Sequence, residues 1–204
     1  MAWAGQEIEN PEIGERLRFV RTAAETKGQL LQTEQWLMPG GSGGVLHVHP
    51  EQEERFIVIA GALRVRIGRA TQEFGPGETA VVPPGTPHVF ENASSETTHF
   101  RGEVRPALRT EEFLERLAAL AQEHGTTPER RLSPLALAPL VSEYQREVRL
   151  PYLPGIVQRM AIGALAALAR RRGHRELPPL SSPGGSTPTV EPEPEGRRVE
   201  DAHE

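Results

Sequence analysis

Residues 41–61, from Gly41 to Gly61, read GSGGVLHVHPEQEERFIVIAG. His47 and His49 stand two apart, so on a strand both imidazoles project from one face. Pro50 ends that strand, and a Pro-Glu-Gln-Glu loop leads into the next one. There Glu54, Phe56 and Val58 alternate onto a single face. If that face is the inside of a barrel, a carboxylate and two imidazoles converge there. An unpaired carboxylate is costly in an apolar interior, so a buried Glu54 beside two histidines asks for a cation.

A second stretch, Gly77 to Asn92, reads GETAVVPPGTPHVFEN. Pro83, Pro84, Gly85 and Pro87 impose a rigid turn that delivers His88 into a strand, with Phe90 on the same face. Three imidazoles and a carboxylate make an N₃O donor set that suits Mn, Fe, Co, Ni or Zn. The chain has no cysteine, so thiolate sites, Fe–S clusters, disulfides and a cysteine nucleophile are excluded. A six-coordinate ion on four such donors keeps open positions, which catalysis needs.

The two stretches together resemble the motifs of the cupin superfamily. The first motif, Gly-x5-His-x-His-x4-Glu-x6-Gly, is filled by Gly41, His47, His49, Glu54 and Gly61. The second, Gly-x5-Pro-x-Gly-x2-His-x3-Asn, is filled by Gly77, Pro83, Gly85, His88 and Asn92, after a gap of 15 residues. The resemblance implies a small jelly-roll β-barrel over about residues 30–106, with His47, His49, Glu54 and His88 as ligands of one divalent transition metal. Fe or Mn is favoured, with Ni, Co and Zn as alternatives. It also implies a catalytic part for Glu54, as a ligand that accepts a substrate proton.

Composition divides the rest. Short β-type runs punctuated by Gly and Pro are expected at Glu15–Thr22 (an edge strand), Gln29–Met38, Val45–His49, Arg55–Ile59, Leu63–Ile67, Ala80–Val82, His88–Glu91 and Thr97–Val104. So many short strands indicate an all-β sandwich or barrel. Residues 107–173 change to helical periodicity. Thr110 is the expected N-cap of a first helix with the stripe Phe113, Leu114, Leu117 and Leu120. A second helix carries Leu137, Leu140, Val141, Tyr144 and Val148, with Pro139 either kinking or beginning it. A third runs from Ile156 to Arg172. The expected fold class is therefore mainly β: a cupin jelly-roll barrel followed by C-terminal helices and a disordered tail. The divisions are a packed N-terminal β segment (1–29), the barrel (30–106), the helical extension (107–173) and a Pro/Glu-rich tail (174–204) that offers almost nothing to bury.

Phe56, Val58 and Phe90 share faces with the ligands and are expected either to line a substrate pocket or to form plain core. Glu34 and Trp36 share a face of the Gln29–Met38 strand; if that face is interior, Glu34 could bind or deprotonate a substrate. His99 alternates with Phe100 and is expected to point outward. His124 is expected to support a helix C-terminus, and His174 and His203 receive no role. Met160–Ala169, MAIGALAALA, has ten residues without a polar side chain, short of the ~20 that cross a bilayer. A helix packed on the barrel or on a second subunit is the expectation.

Net charge is −5, and six acids against Arg197 and Arg198 place −4 of it beyond Pro178. A nearly neutral body gives no electrostatic reason to bind nucleic acid or a membrane. The N-terminal residues lack a basic segment followed by an apolar run, so a cytoplasmic, soluble protein is expected. The leading functional expectation is a metal-dependent oxygenase acting on a small molecule. A Lewis-acid isomerase or epimerase, and a non-catalytic binding or sensing module, stand as alternatives. Isomerisation requires an acid/base besides the ligands, and Glu34 is the sole candidate. Pairing of exposed strands suggests a homodimer.

Overall fold

The computed structural model describes residues 2–127, 131–151, 155–173 and 177–181. Most of the expected tail, with His174 and His203, lies outside the described residues. The described residues form nine strands and three helices in the order β1 Glu7–Asn10, β2 Glu15–Arg21, β3 Leu31–Leu37, β4 Glu53–Ala60, β5 Leu63–Ile67, β6 Ala70–Phe74, β7 Thr79–Val82, β8 His88–Asn92, β9 Thr98–Arg105, α1 Thr110–Glu123, α2 Pro134–Glu143 and α3 Gly155–Arg171. A six-stranded antiparallel sheet, β1-β2-β3-β9-β4-β7, faces a three-stranded sheet, β6-β5-β8. Mainly β with C-terminal helices is the architecture.

Alternation builds the core. On the large sheet, register pairs Phe56 with Gly102 and Ala80, and Val58 with Phe100. From the small sheet Leu63, Val65 and Phe90 meet them. The rings of Phe56, Phe90 and Phe100 pack together with centroids 4.8–5.9 Å apart. Further along the same inner face lie Leu17, Phe19, Leu31 and Val104, covered by Leu114 of α1.

Two strands escape the sequence reading. β6 has four exposed residues and so no alternation; only its pairing with β5 makes it a strand. β1 is short, yet it pairs with β2 from Glu7↔Arg18 to Asn10↔Glu15. That corrects the expectation of an edge strand at Glu15–Thr22, because β1 occupies the outer side of β2. Val45–His49 is corrected too. Flanked by Gly43, Gly44 and Pro50, it makes single bridges, His47↔His88 and Val48↔Arg149, instead of a ladder.

The helices begin in ways composition only half reveals. Arg109, not Thr110, caps α1, without a side-chain bond to the backbone. Thr110 is instead the first helical residue, and its hydroxyl accepts from Gln52 Nε2 at 2.8 Å. Gln52 Nε2 also lies within bonding distance of the Pro106 and Ala107 carbonyls, which fastens the end of the barrel to the start of the helix. Glu111 and Glu115 of α1 accept from the Ala23 amide and Gln6 Nε2, so the N-terminal segment is clamped beneath α1. Ser133 Oγ caps α2 at the Ala136 amide, and Pro134 opens it; Pro139 stays inside the helix. His124 Nδ1 sits 3.0 Å from the Leu120 carbonyl at the end of α1. Among the described residues, no helix is long and apolar enough to cross a membrane.

Candidate metal centre

His47 and His88 are held opposite each other by a two-way backbone bridge, with N···O distances of 3.1 and 2.9 Å. The turn that delivers His88 is anchored at Gly85, whose φ of +74° suits glycine and whose N–H donates to the His49 carbonyl at 2.8 Å. The proline-rich turn and the histidine pair are thus one hydrogen-bonded unit. From the neighbouring strand, β4, Glu54 points into the same space. One donor atom from each of His47, His49, Glu54 and His88 lies within 4.8 Å of all the others.

The ring orientations say what that space is for. Nδ1 of His47 is 2.9 Å from the Val45 carbonyl, and Nδ1 of His88 is 2.9 Å from the Thr86 carbonyl. Nδ1 of His49 faces the Glu147 carbonyl. A carbonyl oxygen only accepts, so each Nδ1 carries a proton and each Nε2 is the remaining donor site. Nε2 of His88 lies 2.8 Å from Glu54 Oε2, and Nε2 of His49 lies 3.4 Å from the same oxygen. Two lone pairs so close to a carboxylate repel unless a cation, a proton or a metal ion, stands among them. An ion bound at roughly 2.0–2.2 Å sets adjacent donors about 3 Å apart and opposite donors about 4.2 Å apart, so the four residues need shift only slightly to hold one. The residues fit the metal.

Electrostatics agree. Burial would raise the Glu54 carboxyl, but His49 and His88 outweigh it and hold it well below the usual carboxylate range. Burial would lower His49, yet the Glu54 charge and the Glu147 carbonyl together hold it above the usual imidazole value. His47, the third ring, is pushed down to about 3 by burial and by the other two imidazoles. A proton in the group therefore sits on His49, with Glu54 ionised, and His47 offers a free lone pair.

Glu15 is a carboxylate that the sequence reading missed. It begins β2, two residues before Leu17, and so shares the inward face with Leu17 and Phe19. That parity was the available signal. Burial, with the Glu54 charge behind it, pushes Glu15 up to about 7. Glu15 and His47 keep some accessible surface, and both line a cavity shared with His49, Glu54, Thr33 and Gln35. Gln35 reaches this wall because Gly102 faces it: a Cβ there would come within 2.4 Å of Gln35 Nε2.

Residues 34–101 match the family model described as Cupin domain. The chain contains a cupin domain. The match spans 68 of the 204 residues, β3 to β9, so β1, β2 and the helices lie outside it. No curated protein matches the chain. Among solved structures, the cupin is similar to TT1209 from Thermus thermophilus (26% identity over 39% of this chain and 74% of that one, TM-score 0.37). A predicted oxalate decarboxylase from Thermotoga maritima is 19% identical over 50% of this chain and 92% of its own, with a TM-score of 0.46. A sugar phosphate isomerase of the cupin superfamily from Silicibacter pomeroyi is 24% identical over 47% and 61%, with a TM-score of 0.40. These likenesses are too distant to bear on what the cupin does.

The remaining expected pocket residues separate. Phe90 lines the cavity, whereas Phe56 and Val58 are buried in the barrel core and are not among its lining residues. Glu34 and Trp36 are a correction. On β3 the inward side carries Leu31, Thr33, Gln35 and Leu37, so Glu34 and Trp36 point out of the barrel. Glu34 pairs there with Arg18, and Trp36 lies between Arg16, 4.2 Å from its ring centroid, and a stacked His99. His99 shares the outer face, with Phe100 inward. Asn92 of the second motif is a loop staple, donating to the Leu37 and Glu96 carbonyls and accepting from Thr98 Oγ1. Glu34→Gln is accordingly expected to leave metal content unchanged, and elemental analysis of the variant beside the parent checks this.

Proposed function

We propose that this cupin is a metal-dependent enzyme acting on a small oxygen-bearing molecule, with oxygenase-type chemistry as its reaction. The carrying observation is the convergence of three Nδ1-anchored imidazoles and Glu54 on one point at the wall of a large cavity. His47, His49, Glu54 and His88 would hold the ion. A redox-active Fe or Mn held there would supply Lewis-acid and redox chemistry for a substrate oxygen. Glu54 and Glu15 line the same cavity, where they would take or return a substrate proton. Most of the cavity lining is apolar, which supports an oxygenase over a sugar isomerase.

Glu15 favours a second reading. Isomerisation or epimerisation of a keto compound needs an acid/base besides the ligands. Glu15 meets that need, which Glu34 does not. The homodimer expected from sequence remains part of the proposal, without the β2 pairing that β1 excludes.

The purified protein is expected to carry about one first-row transition ion per chain. Oxygen uptake should then appear with one of the catechols, flavonols or keto acids in a substrate screen. Deuterium exchange into a keto acid without oxygen uptake, abolished in Glu15→Gln, would favour the second reading. A protein that takes up no Fe, Mn, Ni, Co or Zn would end both. Ligand-induced stabilisation with no turnover would leave a binding module.

A further inference from the structure

α1, α2 and α3 stand over the barrel mouth, and between them and the sheet lies the cavity, about 760 Å³ in volume. Pockets that enclose a drug-sized molecule occupy roughly 300–1,000 Å³. The cavity has two unlike ends. Its floor is polar, with Glu15, Gln35, His47, His49 and Glu54. The rest of its lining is mainly apolar, with Leu17 and Leu31 from the sheet and Leu114, Leu117, Leu137 and Ile162 from the helices, interrupted by Arg131 and Arg149. Leu114, Leu117 and Leu137 pack in part against buried clusters and turn their remaining surface to the cavity. Apolar ligand surface against such leucines supplies the dispersion contacts that match them. Elsewhere this chain fills its interior tightly, as the Phe56–Phe90–Phe100 cluster shows.

The geometry points to a ligand with a predominantly hydrocarbon body and one oxygen-bearing head. The body lies against Leu114, Leu117 and Leu137 beneath the helices, and the head is directed at the metal centre beside Glu15. Placement of the head rests on the metal-site reading above; placement of the body rests on the cavity alone. A polyhydroxylated compound is disfavoured, because hydroxyls buried against leucines leave their hydrogen bonds unmade.

The test is calorimetric titration of the protein, metal-free and Mn²⁺-loaded, with butanoate, hexanoate, octanoate and decanoate below their micellar concentrations. Affinity is expected to climb up to about fourfold per added methylene until the cavity is full. Leu117→Trp, which fills the space, and Leu137→Gln, which wets it, should each flatten that climb. Mn²⁺ affinity should not change in either variant, and far-ultraviolet circular dichroism reports whether each is folded. A flat series in the parent protein, or tighter binding of glucose than of decanoate, overturns the inference. The two readings fail separately. A chain-length climb in protein that refuses Mn²⁺ upholds the cavity and sinks the centre, whereas normal Mn²⁺ uptake with a flat series does the reverse.

Discussion

Replacing His88 with alanine is expected to lower affinity for a first-row divalent ion by at least about 100-fold, since loss of residues that merely orient ligands already costs 10–100-fold. His88 is fully enclosed, its Nδ1 is fixed by the Thr86 carbonyl, and its Nε2 lies 2.8 Å from Glu54. The variant also leaves Glu54 with a single imidazole partner. Taking a hydrogen-bonding partner from a buried carboxylate costs about 1–3 kcal/mol, so metal-free His88→Ala should be measurably less stable. Glu54→Gln separates the two effects. It too should lose the ion, but it abolishes the buried charge and should spare stability. Elemental analysis after dialysis, with urea unfolding of each variant, reads both quantities. Retention of one ion per chain in His88→Ala would mean that these residues are only a hydrogen-bonded cluster.

How much of this was readable without coordinates follows from periodicity. His47, His49, Glu54 and His88 were legible because spacings of two on extended chain fix a common face, and because the prolines before His88 leave the backbone little choice. The inward face of β3 was not. Its two sides read Leu-Thr-Gln-Leu and Gln-Glu-Trp, and neither is plainly a core face. Thr33 and Gln35 are tolerated inside because they border a cavity, and Trp36 is tolerated outside because Arg16 and His99 cover it. Glu15 was hidden for the same reason. A carboxylate at the head of an apolar alternation reads as a solvent-facing strand end until the cavity beside it is known. The roof itself was out of reach: the helices were legible, but nothing local says that their apolar stripes face the barrel mouth. Nor could spacing show that Glu147, almost a hundred residues from His49, supplies the carbonyl that orients it.

That last contact makes the roof part of the centre, and Tyr144 is where the dependence can be measured. Tyr144 follows α2 with no accessible surface. Its ring packs edge-on against Phe113 and lies 4.6 Å from the Arg109 guanidinium, and its hydroxyl donates to Glu112. Its carbonyl accepts from the amides of Glu147 and Val148 at 3.1 and 2.9 Å, which shapes the turn that presents the Glu147 carbonyl to His49. Truncating a buried aromatic costs about 3–5 kcal/mol, so Tyr144→Ala should lower the urea midpoint sharply. It should also loosen the turn, let the His49 ring rotate, and weaken metal binding by about 10–100-fold. Tyr144→Phe keeps the ring and the turn, and should lose only about 0.5–1.5 kcal/mol with metal affinity intact. Should Tyr144→Ala lose stability yet bind metal like the parent, the helices would be a separate cover, and the coupling from α2 through Glu147 to His49 would be wrong. If both fall together while Tyr144→Phe is spared, the helical extension is what sets the third imidazole, and the cavity and the centre form one device.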